Sequence, residues 1–181
     1  MLLVPSHNYQ KNFKQITFSD DDKGKTVHFC LKRGIDATPD FALVTSVAVV
    51  PFVSKETIMV TRLQRGVDIP GGHTESYDAD VVATAQRESI EEAAIELDDS
   101  LYLIGEISSD YKGPTAEDVT YMLITAGRVT KVNEFIPEFE SLGRGEMSLD
   151  DFLAHYEAGS QEMMAEIVNR AKDVRDKIFS R

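Results

Sequence analysis

The chain has 181 residues, 42% of them hydrophobic and 28% charged, which is enough for one domain with a real core and too little for two ordinary ones. Its formal net charge of −12 argues against a nucleic-acid polymer as partner, because phosphate backbones are held by clustered Lys and Arg; an anionic small molecule is still accepted when metal ions sit between it and the protein. No apolar run approaches the roughly 20 residues that cross a bilayer, MLLVPSHNYQ lacks the basic flank and apolar stretch of a secretory signal, and the single cysteine, Cys30, excludes an intrachain disulfide and a cysteine-based zinc cluster, so no membrane role and a cytoplasmic location are expected.

Two extended runs come first, Phe13 to Phe18 and Lys25 to Leu31, separated by the turn-like Asp20-Asp21-Asp22-Lys23-Gly24, as in a hairpin. Cys30 in the second run reads as a small, partly buried apolar residue. Ala42 to Phe52 is rich in β-branched residues and reads as a central strand, followed by a second strand from Thr57 to Leu63. Pro70, Gly71 and Gly72 then interrupt regular structure. Val81 to Leu97 has helical composition without Gly or Pro, and Leu101 to Ser108 and Thr120 to Ala126 read as further strands.

The last third is helical. Ser148-Leu149-Asp150-Asp151 resembles a capping box and opens a helix that Gly159 closes. Ser160 caps a final helix whose Met164, Ile167, Val168, Ala171, Val174 and Ile178 recur at helical spacing. Such a stripe packs on the domain, with a homodimer or partner-helix face as the alternative. Strands around a central helix, then helices, predict an α+β fold, a mixed α/β sandwich. The expected organisation is a single domain over residues 1–181: an N-terminal hairpin-like extension at 1–40, a core at 41–153 and a C-terminal helical segment at 154–181.

The chemistry is concentrated around the central helix. Each residue advances about 100°, so Glu91 and Glu92 lie near −60° and +40° of Glu88 and the three carboxylates share one face. Val82, Ile90, Ala93 and Leu97 fall opposite, which predicts a helix buried on its apolar side with the acids aimed outward. Like charges at these spacings cost a few tenths of a kcal/mol per pair, and a hard divalent cation turns that cost to use, since Mg²⁺ takes carboxylate oxygens and shares them with substrate phosphates. A solvated acidic face is the plainer alternative from these three residues alone.

The surrounding pattern decides between them. Gly72, five residues, Asp78, then Arg87-Glu88, Glu91-Glu92 and Ile95 resemble the Nudix box, which reads Gly, five residues, Glu, seven residues, Arg-Glu, an aliphatic, any residue, Glu-Glu, any residue, Gly, an aliphatic. The lead-in Asp68-Ile69-Pro70-Gly71-Gly72 is also typical of that family. Four departures are present: Asp78 stands for Glu, eight residues separate it from Arg87, Ser89 fills the aliphatic position, and Ala94 replaces the closing Gly, so the helix is expected to run past residue 94.

The resemblance implies a Nudix fold, with a mixed sheet between helices, and hydrolysis of the diphosphate bond in a nucleoside diphosphate linked to another moiety: a nucleotide sugar, an ADP-ribose-like compound or a nucleoside triphosphate. It also implies that Glu88, Glu91 and Glu92 ligate Mg²⁺ or Mn²⁺, that Arg87 orients a neighbouring carboxylate, and that the Gly71-Gly72 loop turns a backbone carbonyl to the metal. Metals would neutralise the diphosphate and lower the pKa of the attacking water. For the general base, Glu92 is one candidate, and Glu134, Glu138 and Glu140 in a later segment are others, with Glu140 first.

Tyr111 and Pro114 give conflicting hints about substrate, His73 is more often a bystander beside Gly72, and Arg62 and Arg65 are candidate phosphate contacts. An isopentenyl-diphosphate isomerase shares the box but needs a cysteine after a strand, and Cys30 lies well before the box. A non-catalytic Nudix-like nucleotide sensor is the alternative from a different class.

Overall fold

The computed structural model describes residues 1–22, 25–35, 38–110, 119–137 and 140–180. Tyr111, Gly113, Pro114 and Glu138, like the Lys23-Gly24 turn, lie outside the described residues. In chain order the elements are β1 (Leu2–Leu3), α1 (His7–Gln10), β2 (Ile16–Asp22), β3 (Lys25–Leu31), a 3-10 turn (Phe41–Leu43), β4 (Val44–Phe52), β5 (Thr57–Leu63), β6 (Gly66–Asp68), β7 (Gly71–His73), α2 (Val81–Ala93), β8 (Ile95–Leu97), β9 (Leu101–Ser109), β10 (Thr120–Val132), β11 (Gly143–Ser148), α3 (Leu149–His155) and α4 (Gln161–Ile178). The long strands line up as β11-β5-β4-β10-β9-β3-β2, and β1, β6, β7 and β8 attach to β9, β5, β4 and β10.

Among the described residues only β4–β10 and β1–β9 are parallel strand pairs, so the sheet is mixed. Its two faces are built by period-two alternation. In β4, Val47 and Val49 enter one core cluster while Val50 and Phe52 enter the other; in β9, Leu101 and Leu103 are set against Tyr102 and Ile104. The first cluster takes Val81, Ala85 and Ala93 of α2. The second takes Leu149 and Phe152 of α3 and the apolar stripe of α4. The result is the expected α+β sandwich, with α2 on one face and α3 and α4 on the other.

The stripe from Met164 to Ile178 is buried throughout, so it is a core face and is not free for a partner helix. Both final helices are capped as expected, Ser148 Oγ accepting from Asp151 N–H and Ser160 Oγ from Met163 N–H. Tyr156, however, already ends α3, ahead of Gly159. The N-terminal hairpin is fastened to α4 by Arg170, whose side chain is fully buried. Its guanidinium donates to Glu166 Oε1 (2.9 Å) and to the backbone carbonyls of Lys14 (2.6 Å), Lys32 (3.0 Å) and Ile104 (3.2 Å). Glu166 Oε1 also accepts from Lys14 N–H at 2.7 Å. A buried charge with this many partners holds three segments in one register.

Two expectations are corrected along α2. The helix stops at Ala93, and Ala94 adopts the left-handed conformation (φ 51°, ψ 44°) that glycine takes more cheaply. The neighbourhood holds it there: Ala94 N–H donates to Ile90 O, Asn133 N–H donates to Ala94 O, and Arg144 Nη1 bonds Ala93 O and Ala94 O at 2.7 and 3.2 Å. Ile95 to Leu97 is therefore strand, not helix. The helix is also rotated relative to the expected face. Ile90 is 51% exposed, whereas Glu88 and Glu92 are 7% exposed. Treating carboxylates as outward and Ile as inward fails here because two of the acids are enclosed by the protein.

Candidate active site

β7 and α2 build the site together. β7 pairs with β4, matching Val47 to Gly72 and Ala48 to Gly71, so the Gly71-Gly72 segment is strand and not the expected loop. Gly71 is required by close approach of the neighbouring strand's backbone, and Gly72 leaves the place that the Glu88 carboxylate takes. A Cβ on Gly71 would lie 2.6 Å from Ala48 Cα, and one on Gly72 would lie 2.5 Å from Glu88 Oε1. The Glu88 carboxylate thus rests directly on the Gly72 backbone. Glu92 is tied to the same strand, its Oε2 accepting from Gly71 N–H at 3.0 Å.

Arg87 organises the remaining acids. Its Nε and Nη2 donate to the two oxygens of Asp78 (3.1 and 2.9 Å), its Nη1 donates to Glu88 Oε1 (2.7 Å) and Glu91 Oε2 (3.1 Å), and Nη2 also donates to His73 O (2.7 Å). The fork on Asp78 is bidentate, the strong form of an Arg–carboxylate pair. Asp78 also accepts from Thr84 Oγ1 at 3.0 Å and Glu75 N–H at 2.9 Å. Arg87 foremost, with these further bonds, brings the Asp78 carboxyl down to about 2. The shorter Asp and the extra residue before Arg87 are absorbed in the turn between β7 and α2.

The charges on α2 are shifted in the opposite direction. Burial, only partly offset by the Gly71 N–H and augmented by Glu88, pushes the Glu92 carboxyl up to about 7. Burial also raises Glu88, with Arg87 working against it. Among the described residues no three His, Cys, Asp or Glu side chains form a ready ligand set, and Arg87 Nη1 takes oxygens of Glu88 and Glu91. The donors are nevertheless those a hard cation uses: carboxylate oxygens only, two of them enclosed and mutually repelling, against a strand whose glycines leave room. On that chemistry the residues fit a hard divalent cation, which would have to share Glu88 and Glu91 with Arg87.

A cavity of about 480 Å³ opens beside this face. β7 is the shared wall, since Gly71, Gly72 and His73 line the cavity while Gly71 and Gly72 touch Glu92 and Glu88. Arg65 and Glu140 also line it, and both are exposed at its rim. The structure therefore brings Arg65, Gly71, Gly72 and Glu140 to one space. Arg62 is exposed in β5, and Glu134 is exposed in the segment after β10.

Some contributors were not singled out from the sequence. Asp68, buried and raised above the usual carboxylate range by that burial, accepts from Arg65 Nε at 3.1 Å. Tyr156 lines the same cavity, with its hydroxyl pushed up to about 12 by burial and by Asp68. Ser141 Oγ donates to Glu92 O at 2.6 Å, and Thr61 Oγ1 contacts the same carbonyl at 3.1 Å, so the segment carrying Glu140 is anchored on α2. The hint available in sequence was position alone, with Asp68 in the lead-in to the box and Ser141 beside Glu140.

The NUDIX domain family matches residues 42–167. Among solved structures, the chain is similar to a mutant form of a Bacillus subtilis pyrophosphohydrolase, BsRppH (20% identity, 90% of this chain and 98% of that one, TM-score 0.64). It is also similar to a Nudix hydrolase from Nitrosomonas europaea (15%, 75% and 90%, TM-score 0.55) and to a UDP-X diphosphatase (14%, 76% and 64%, TM-score 0.51). At these identities the likeness is one of fold. No curated protein matches. With the family's domain spanning more than half the sequence and its box mapped onto β7 and α2, the chain belongs to the Nudix hydrolase family.

Proposed function

We propose that the chain is a divalent-metal-dependent pyrophosphohydrolase that cleaves the diphosphate of a nucleoside diphosphate linked to another moiety. The observation that carries it is the pair Glu88 and Glu92 of α2, buried against β7 and raised above the usual carboxylate range, beside a cavity of substrate size. The names of the fold neighbours, a pyrophosphohydrolase and a UDP-X diphosphatase, agree with a diphosphate substrate.

Glu88, Glu91 and Glu92 would hold Mg²⁺ or Mn²⁺, which supplies neutralisation of the diphosphate and acidification of the attacking water. The remaining work belongs to the protein. Arg87, fixed by Asp78, holds Glu88 and Glu91 in place and cancels part of their repulsion. Arg65 at the rim offers a cation to a phosphate oxygen. Proton transfer falls to Glu92, enclosed next to Gly71, or to Glu140, exposed at the rim of the cavity next to the Ser141 that bonds Glu92 O. Residues 41–153 form the catalytic core, and the segments 1–40 and 154–181 complete a single domain by packing on the same core.

A nucleotide panel incubated with Mg²⁺ and Mn²⁺, its products separated by chromatography, tests this reading. A nucleoside monophosphate and a phosphorylated remainder are expected. Tight nucleotide binding with no cleavage in the whole panel would overturn it in favour of a non-catalytic sensor, the reading that the Arg87 bonds to Glu88 and Glu91 would then explain.

A further inference from the structure

The far end of the cavity differs from the acidic end. Phe18 of β2 and Phe29 of β3 are a cross-strand pair with stacked rings, 4.9 Å between centroids and 17° between planes, and both line the cavity. Opposite them are Met163, Met164 and Ile167 from the first half of α4, with Ile107 and Ile124 of the sheet as the floor. Both walls lie away from the acids of α2 in the chain. The hairpin precedes the family-matched residues 42–167, and α4 begins within them and runs beyond. Arg170 and Glu166 lock the two walls together through Lys14 and Lys32, so the apolar space is a preformed feature.

We propose that this space seats the aromatic base of the substrate, with Phe18, Phe29, Met163 and Met164 as its apolar walls and the attached diphosphate leading past β7 to Glu88 and Glu92. The inference rests on the hydrolase reading for the direction of the diphosphate but not for the base itself. Three observations select this occupant. Stacked phenylalanines present flat faces suited to a flat ring, and thioethers adapt to aromatic edges. Among the described residues Arg65 is the lone Lys or Arg side chain on the lining, and it is paired with Asp68, which disfavours a second anionic group at the far end. A hexose placed there would leave most of its hydroxyls facing Phe, Met and Ile without partners. The sugar or second phosphoryl group of the substrate therefore belongs at the open, polar rim, toward Arg65 and Glu140. Because the stacking surfaces carry few directed hydrogen bonds, the site should discriminate weakly between bases.

The test uses the whole 181-residue chain, which has no tryptophan. Phe29→Trp keeps a ring on the wall and supplies a fluorophore found nowhere else in the chain. Titration with AMP in the absence of metal should quench it saturably, and ribose 5-phosphate at the same concentrations should not. Phe18→Leu, Phe29→Leu and Met163→Ala should each weaken AMP binding to the otherwise unchanged protein by about tenfold, measured by calorimetry, and should raise KM for the preferred nucleotide with kcat within a few-fold. Retained folding is checked by the melting curve of each variant. Equal quenching by ribose 5-phosphate, or unchanged AMP affinity in all three variants, would overturn the base seat while leaving the hydrolase reading intact. Stronger competition by geranyl diphosphate than by any nucleotide, lost in the same variants, would also overturn it and assign the walls to an alkyl chain. Phe-dependent AMP binding without hydrolysis of any nucleotide would support the seat and sink the hydrolase reading instead.

Discussion

Glu88 and Glu92 are carboxylates kept largely out of water beside one another, and that arrangement has measurable consequences at the residue scale. The Glu92 carboxyl ionises near 4.5 when unperturbed and at about 7 in the metal-free native state. Between those values the folded protein holds a proton that the unfolded chain has already lost. Stability of the metal-free protein therefore falls as pH rises through that window, with the loss complete above it. Glu92 alone should contribute about 3 kcal/mol to this fall. Denaturant unfolding in chelator across the window should show a shallower decline for Glu92→Gln than for the parent, and parallel declines would remove the enclosed-carboxylate account. Catalysis gives the complementary result. Glutamine keeps the shape of Glu91 or Glu92 but supplies neither charge nor a proton acceptor. Glu91→Gln and Glu92→Gln should each lower kcat by on the order of 10²-fold or more, with the fold retained. Rates within a few-fold of the parent would place the chemistry elsewhere.

At the scale of elements, Ala94 shows how a family position can change its residue and keep its conformation. The left-handed turn is imposed from outside by Arg144 and Asn133, so the alanine bears the strain that a glycine would not. Ala94→Gly should raise stability by about 0.5–1 kcal/mol, the relief of strain exceeding the glycine's extra unfolded-state entropy. A lower denaturation midpoint would mean that the alanine methyl packs usefully. The same position explains what was and was not legible beforehand. β4 was evident because β-branched residues cluster in it, and β5, β9 and the start of β10 were evident as apolar runs bounded by turn-forming residues. The end of α2 was not, since Ala94 is a good helix former whose conformation is set by residues some forty to fifty positions away in the chain. The three-residue strands β6, β7 and β8 likewise owe their existence to partners, not to composition. Within the site, the grouping of Glu88, Glu91 and Glu92 was readable from helical spacing, whereas their enclosure was not. Periodicity assumes that charge faces water, and it placed Ile90 inside and these acids outside. The bidentate hold of Arg87 on Asp78 depends on a turn whose length the box pattern did not foresee.

At the scale of the whole molecule, the sandwich places two chemically unlike regions on either side of β7. One holds the enclosed acids of α2, and the other is the apolar cavity between the hairpin and α4. The overall charge of −12 repels a free diphosphate, so cations are needed to bring the substrate close, and nucleotide binding through its phosphates should be weak without them. The division of labour predicts that metal, water and phosphorus meet at the acidic end regardless of what is attached beyond. Hydrolysis in ¹⁸O-labelled water, followed by mass spectrometry of the products, tests this most directly. With Mg²⁺ or Mn²⁺ present, the label should appear on a phosphoryl group of one product, and it should be absent when a chelator is added. Label on a sugar carbon, or equal incorporation with and without the metal, would contradict the account.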